Sequence, residues 1–400
     1  MRQNLKNNEA MYEIEMNGTP IKIWARSVDP HAYKEIYNLS TLPFVFHHLA
    51  FMPDVHGGVG MPIGGVLATK DVVIPNAVGV DIGCGMCAVK TSLKVADIPE
   101  RTLRKGIMSG IRKRIPLGMA HHKTAQDESL MPQGHDVDAL AVVSRQYASA
   151  TKQIGTLGGG NHFIELQRDG EDNLWVMLHS GSRNLGKQVG DHYNQLAKNL
   201  NAAWYSAVDP DIHLNFLPRK SKEFKDYWAE MGYCIDFAFA NRKLMMDRIL
   251  EVIKDCCPEA EFEPMINIAH NYAAWENHFG ENVIVHRKGS VRAGEGDVGI
   301  IPGSQGTKSY IVEGLGNADS FMSSSHGAGR LMSRTEAVNT LDLAAEVARL
   351  ESRGIIHAIR GRNDLEEAAG AYKDIGEVLS SEADLVKVVT ELSPVAVIKG

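Results

Sequence analysis

Asp81 and Cys84, in the segment VGVDIGCGM, form an Asp-x-x-Cys pair whose carboxylate and thiol can reach one metal ion. Cys84 also pairs with Cys87 as a C-x-x-C, a spacing that elsewhere marks redox or zinc chemistry. A structural zinc needs a second ligand pair at similar spacing, and the sequence has no other C-x-x-C. A thioredoxin-like pair should precede a helix, whereas this one sits in a glycine-rich, strand-like segment. The histidines favour the Asp-x-x-Cys reading. His162 follows three glycines in GGGNHFIE, His179 ends the apolar run WVMLHSGSR, and His270 lies in IAHN. A lone histidine is more often a core or surface residue than a ligand. Three of them, each at the end of a strand-like run beside Gly, Ser or Asn, are another matter. With Asp81 and Cys84 they make a mixed N, O and S set, which suits zinc or another first-row transition metal better than magnesium or calcium. One bridging thiolate could serve two ions.

A second constellation points to phosphate. Residues 301–309, IPGSQGTKS, offer backbone N–H groups and hydroxyls in a flexible loop, the chemistry of an anion nest. The order of a Walker A loop is absent there. The segment SSSHGAGR sets His326 between hydroxyls and a small-residue turn, with Arg330 and Arg334 following. A neutral imidazole in that setting can attack phosphorus and pass the group on as a reactive phosphoramidate. A phosphate-binding turn with an incidental histidine is the competing reading.

The elements that must carry these residues can be sketched from periodicity. Residues 11–29 alternate apolar and polar around Asn17-Gly18, which predicts a β-hairpin. Residues 52–90, 154–183 and 283–312 read as buried strands joined by glycine loops. Residues 101–150 read as mostly helical and surface-exposed, with a polar, histidine-bearing loop over 119–136. Helical periodicity marks 187–206 and 222–254, the second with Trp228, Met231, Ile235, Phe239, Arg242, Met246, Ile249 and Ile253 at i+3/i+4 steps. Residues 340–353 and 383–392 also read as helical. No repeat and no linker divides the chain, and the chemically interesting blocks run from residue 54 to 400. That predicts an α+β fold, one large mixed domain over residues 1–400.

Composition sets the bounds. The 400 residues are 44% hydrophobic and 23% charged, an ordinary globular balance. Five cysteines make no disulfide framework, and no apolar run is long enough to cross a membrane. The polar N-terminus, MRQNLKNNEAMYEIEMNG, carries no export signal, so the expected compartment is the cytoplasm. The 42 basic and 49 acidic residues give a net charge of −7, which argues against non-specific coating of nucleic acid. Arg101, Arg104, Lys105, Arg112, Lys113 and Arg114 could still form a local basic groove, or a solvated helix face broken near Ser109-Gly110.

Together these blocks resemble the RtcB family of RNA-splicing ligases from about Met52 to Gly400. The segments that carry the resemblance are MPDVHGGVGMPIGGV, VGVDIGCGM, GTLGGGNHFIE, LHSGSR, AHN, HRKG, IPGSQGTKSYIV, SSSHGAGRLMSR, AYKDI and the terminal Lys399-Gly400. The resemblance implies the RtcB fold, with strands and glycine-rich loops around a central metal and nucleotide cleft and helices at the periphery. It implies an enzyme that joins RNA ending in a 2′,3′-cyclic phosphate or 3′-phosphate to RNA with a 5′-hydroxyl, in tRNA splicing or RNA repair, using GTP and two Mn²⁺ ions. His326 matches the histidine that carries GMP, and the RNA end is then activated as RNA(3′)pp(5′)G. Asp81, Cys84, His162, His179 and His270 match the manganese ligands, with Cys84 as the bridge. Asn161, Phe163, Glu165, Ser304, Ser309, Tyr372 and Lys399 match the guanylate pocket, where the Glu165 carboxylate suits the N1–H and N2–H₂ edge of guanine. Asp54 matches an aspartate that could orient His326. Arg183 and the Arg287–Lys288 pair are candidate RNA-phosphate contacts.

Two departures from the family pattern stand out. Ser324 and Ser325 occupy positions where relatives often carry cysteine or another small residue, and Cys87 reads as a buried apolar residue without a family role. The partners implied are RNA ends and GTP, with an accessory activator left open and no membrane. The alternative reading is a metal-dependent phosphodiesterase or phosphatase, which would need neither a guanine-selective pocket nor His326.

Overall fold

The computed structural model describes residues 11–400, so the start of the polar N-terminal stretch, residues 1–10, lies outside the described residues. Tyr12–Met16 and Thr19–Ile23 form the expected hairpin, closed by Asn17 and Gly18 in the left-handed region at φ 51° and 77°. This hairpin opens a six-stranded sheet. Edge to edge the sheet runs Tyr12–Met16, Thr19–Ile23, Val45–Val59, Met61–Thr69, Glu281–Lys288 and Asn271–His278. A seven-stranded sheet runs Ile266–Ala269, Gly85–Lys94, Asn173–Ser180, Phe163–Arg168, Val386–Lys399, Ser309–Gly314 and Val298–Ile301. Its two outer strands touch one another, so this sheet curls nearly into a barrel. Strands and helices alternate irregularly along the chain, which makes the fold α+β as expected.

The long helix Lys222–Cys256 lies against the seven-stranded sheet. Its N-terminus is capped by the Ser221 hydroxyl, which accepts from the Phe224 N–H at 3.0 Å. Met246, Ile249 and Ile253 from its inner face pack with Val176, Leu178 and Ile164 of the sheet. The predicted stripe is buried at Met231, Met246, Ile249 and Ile253, whereas Trp228, Ile235 and Phe239 are half-buried and Tyr227, Cys234 and Phe237 face the core in their place. Arg242, a charged residue in the middle of the stripe, is fully buried.

Residues 101–150 are helical at their two ends, over 102–114 and Ala141–Gln153, with only short turns between. The expected break at Ser109-Gly110 is not there. A π-helical turn, Thr102–Met108, runs directly into the α-helix Ser109–Arg114. Gly106 and Gly110 instead let this segment approach the long helix, since a Cβ on them would lie 2.9 Å from Cys256 Sγ and 2.6 Å from Val252 Cγ1. Nor is the segment all surface, since Leu103, Ile107, Met108 and Ile111 are buried.

Residues 383–392 are not helical. They begin the long strand Val386–Lys399, paired on one side with Ser309–Gly314 and on the other with Phe163–Arg168. The apolar residues at 385, 388, 389 and 392 mimic a helical stripe, but the valine-rich run favours a pleated strand and pairs along residues 386–392 with Ser309–Gly314, while Phe163–Arg168 takes residues 393–399. No helix among the described residues is long and apolar enough to cross a membrane.

Candidate active site

The five expected metal ligands converge at one end of the seven-stranded sheet, and strand order explains why. His270, Cys84, His179 and His162 lie at the ends of four strands that are neighbours in that sheet. Register aligns them: Gly85 pairs with Ala269 and with Ser180, and Phe163 pairs with His179. Asp81 joins from the loop after the short helix Pro75–Val78.

The donor atoms form a continuous chain. Asp81 Oδ2 is 3.2 Å from His162 Nε2, which is 3.5 Å from Cys84 Sγ. Cys84 Sγ is 3.2 Å from His179 Nε2, which is 3.3 Å from His270 Nε2. His162 Nδ1 donates to the Leu157 carbonyl at 3.0 Å and His179 Nδ1 to the Asn161 carbonyl at 3.2 Å. With those protons fixed, both Nε2 lone pairs face Cys84, the arrangement that outer hydrogen bonds impose on metal-binding imidazoles. Burial holds His179 and His270 well below the usual histidine range, hence neutral. Burial opposes ionisation of Asp81, but the adjacent His162 ring keeps the carboxyl below its ordinary value. Burial and the neighbouring Asp81 push the Cys84 thiol up, a direction that a bound cation would reverse. No lysine or arginine side chain bonds to these five groups among the described residues. Lone pairs of N, O and S directed at one another without a cation fit a divalent metal, and the chain is long enough for two with Cys84 Sγ common to both.

His326 stands next to this cluster, its ring 4.8 Å from that of His270. Its Nδ1 donates to Asp54 Oδ2 at 2.6 Å, and its backbone N–H donates to the same oxygen at 3.1 Å. Asp54 is fully buried. The tautomer is therefore set: Nδ1 holds the proton and Nε2 carries a lone pair. A cavity of about 320 Å³ opens in front of His326, lined among others by Asn161, Phe163, Glu165, Ser304, Tyr372 and Lys399. Ser309 does not line it. That residue is buried behind the wall, where its hydroxyl accepts from Gln167 Nε2 at 3.0 Å and the Gly303 N–H at 3.2 Å. Ser304 lines the cavity, but its N–H donates to Thr307 Oγ1 at 2.7 Å. The N–H groups of residues 303, 304 and 307 are thus engaged within the loop and do not serve an anion.

Several residues in this cavity carried no clear sequence signal. Glu367 is buried and accepts from Arg334 Nε at 2.8 Å and from the Tyr372 hydroxyl, with Arg330 Nη1 at 3.2 Å. Burial opposes its charge, yet Lys399, Tyr372 and the two arginines hold its carboxyl below the usual range. His56 lines the wall beside His326, its Nδ1 bonded to the Asp54 carbonyl at 2.8 Å, and burial lowers its pKa to about 4. A second cleft of about 460 Å³ is lined by Asp81 and His162 of the candidate donors together with Arg183, Lys187 and Arg334. Asn161 and Arg334 line both.

A family model described as "tRNA-splicing ligase RtcB" matches residues 35–400. The chain belongs to the RtcB family of RNA-splicing ligases. Among its relatives is the RNA-splicing ligase RtcB of Escherichia coli strain K12, 38% identical over 415 residues that cover 97% of this chain and 100% of the relative. The tRNA-splicing ligase RtcB of Thermococcus kodakarensis is 32% identical over 437 residues, covering 91% of this chain and 90% of that one.

Membership in the RtcB family does not rescue every candidate. Arg287 cannot meet RNA phosphate, because it is fully buried and bonded to Glu276, Ser323 and the Phe321 carbonyl. Lys288 is likewise buried, its Nζ donating to the Val59 and Asn76 carbonyls at 2.7 and 3.1 Å. In the 101–114 cluster, Arg104 pairs with Glu100, and Arg114 with Glu251 and Asp255, which leaves Arg101, Lys105, Arg112 and Lys113 exposed and without an ion pair among the described residues. Cys87 packs in the apolar layer, where burial raises its thiol to about 12. Cys87→Ala is expected to leave metal content unchanged and to cost about 1 kcal/mol of stability, read by metal analysis and thermal unfolding.

Proposed function

We propose that this chain joins RNA ending in a 2′,3′-cyclic phosphate or 3′-phosphate to RNA with a 5′-hydroxyl, using GTP and Mn²⁺ through a covalent His326–GMP intermediate. The observation that carries this reading is the pair formed by the buried Asp54 and His326 at 2.6 Å, which aims a lone pair from Nε2 beside the metal donors. His326 Nε2 attacks the α-phosphorus of GTP and pyrophosphate leaves. Asp54 stabilises the charge that forms on the imidazole. Water opens a 2′,3′-cyclic end at the P–O2′ bond to give a 3′-phosphate and a 2′-hydroxyl. GMP then passes from His326 to the RNA 3′-phosphate, and the 5′-hydroxyl of the second strand displaces it. Asp81, Cys84 and His162 would hold one ion, and Cys84, His179 and His270 the other. Bound there, the two ions neutralise charge on attacking and leaving phosphate oxygens. Glu165 and Lys399 share the cavity with Asn161, Phe163 and Tyr372, which suits the guanine base and its ribose. The five free cysteines accord with a reducing compartment, and we read the protein as cytoplasmic.

Glu165 and Lys399 give GTP binding a defined pH dependence. Burial raises Glu165 to about 8, and burial lowers Lys399 to about 8. The base edge of guanine needs the ionised carboxylate, so affinity should climb as pH rises toward 8. Lys399 loses its proton in the same range, so affinity should fall beyond it. Titration of GTP binding against pH is expected to show a maximum near 8, and Glu165→Gln should abolish the rising limb.

The function itself is tested with RNA that carries a labelled 3′-phosphate. Incubation with GTP, Mn²⁺ and a 5′-hydroxyl RNA should move the label into an internal, phosphatase-resistant junction. Release of the label as free phosphate, or opening of a cyclic end without joining, would support the phosphodiesterase or phosphatase reading instead.

A further inference from the structure

Asn241 and Arg242 are adjacent, fully buried, and sit in the middle of the long helix Lys222–Cys256. A charged side chain taken out of water needs compensation, yet Arg242 makes no ion pair with a carboxylate among the described residues. Its bonds go elsewhere. Nη1 donates to the Gly83 carbonyl at 2.8 Å and to the Ser180 carbonyl at 3.0 Å, and Nε donates to Asn267 Oδ1 at 2.6 Å. Gly83 precedes Cys84, Ser180 follows His179, and Asn267 stands on the short strand that leads into His270.

Asn241 covers the remaining segment. Its Oδ1 accepts from the Gly155 and Thr156 N–H groups at 2.7 and 3.2 Å. Its Nδ2 lies 3.3 Å from the Thr156 carbonyl, 3.2 Å from Ser180 Oγ and 3.1 Å from the Gly181 carbonyl. The Ser180 hydroxyl in turn donates to the Leu157 carbonyl at 2.8 Å, the same oxygen that fixes the His162 ring. Two neighbouring residues on one helix thus tie together the segments that carry Cys84, His162, His179 and His270.

We propose that Asn241 and Arg242 are the positioning residues of the metal centre, holding four ligands that come from four strands in register for Mn²⁺. This rests on the reading of that cluster as a manganese site. The buried guanidinium also supplies a fixed positive charge beside the segments that bear the anionic ligands, which offsets its own burial when thiolate and carboxylate are ionised. A purely structural role would be served by apolar packing, as at Met246 and Ile249 on the same helix.

The test uses the full chain in reducing buffer, with Mn²⁺ alone as the probe and calorimetric titration as the readout. Arg242→Lys keeps the charge but loses the fork, and should weaken Mn²⁺ binding by about 10–100-fold, the usual effect of removing an outer hydrogen bond at a metal site. Asn267→Ala, at a half-buried position, removes the partner of Arg242 Nε with little change in packing and keeps the test open should the first variant not fold. It should weaken binding in the same direction, with partial recovery of RNA joining at raised Mn²⁺. Ile253→Val, in the core farther along the helix, should lower the melting temperature and leave Mn²⁺ affinity unchanged. Wild-type affinity in folded Arg242→Lys and Asn267→Ala would overturn the positioning role, as would an equal loss in Ile253→Val. Wild-type protein that binds no Mn²⁺ would overturn the metal reading beneath it as well.

Discussion

Cys84→Ala is expected to lose Mn²⁺ and with it every chemical step, a fall of more than about a hundredfold in both guanylation and RNA joining. The magnitude follows from position. Cys84 Sγ is the donor that touches both halves of the cluster, at 3.5 Å from His162 Nε2 and 3.2 Å from His179 Nε2. Removing His270 would take one donor from one end of the chain of atoms, whereas removing Cys84 takes the middle. Cys84→Ser returns a harder donor at the same point and should recover part of the binding. Metal analysis of the purified variants, with thermal unfolding as a control for the fold, reads this directly. Two Mn²⁺ ions retained by Cys84→Ala would place the common ligand elsewhere.

Asp54 separates the tautomer from the charge. In Asp54→Ala, His326 loses the acceptor that keeps its proton on Nδ1, and Nε2 is no longer held as a lone pair. Guanylation should fall by about 10³–10⁴-fold, as for other nucleophile systems that lose their orienting carboxylate. Asp54→Asn should fall between. The backbone N–H and Nδ1–H of His326 both point at Oδ2, at 3.1 and 2.6 Å, so the amide will present its oxygen there and keep the tautomer. It cannot supply the negative charge that the phosphorylated imidazole needs. The expected order of guanylation rates is Asp, Asn, Ala. Sealing of a pre-activated RNA(3′)pp(5′)G end does not use His326, so it should survive in all three and in His326→Ala. Equal rates in the Asn and Ala variants would show that charge alone matters.

Much of this site was legible because its chemistry lies in short segments with distinctive residue types. His179 and His270 close strand-like runs, Cys84 and His162 open them, Asp81 lies three residues before Cys84, and the ends of neighbouring strands converge in space. The hairpin at Asn17-Gly18 and the long helix from residue 222 were legible for similar reasons, since each rests on local periodicity or turn chemistry. What was not legible depended on pairing across the chain. The strand from Val386 begins with an apolar spacing compatible with a helix, and only its pairing with Ser309–Gly314 decides the matter. Arg287 and Lys288 carry charges that suggest a surface, but buried carbonyls and Glu276 receive them. Glu367 gave no signal at all, because its role depends on Arg330, Arg334 and Tyr372 folding around it. Arg242 did give one, a charge in an apolar stripe, whose meaning appears only with its partners in place.

The most direct test of the central claim is incubation with α-labelled GTP and Mn²⁺, followed by a denaturing gel and acid treatment of the labelled band. The account predicts a label on the protein that is acid-labile and alkali-stable, as a phosphoramidate is. It should be absent with labelled ATP and absent from His326→Ala. No label on wild-type protein that holds its metals, or the same label on His326→Ala, would contradict a covalent His326–GMP intermediate.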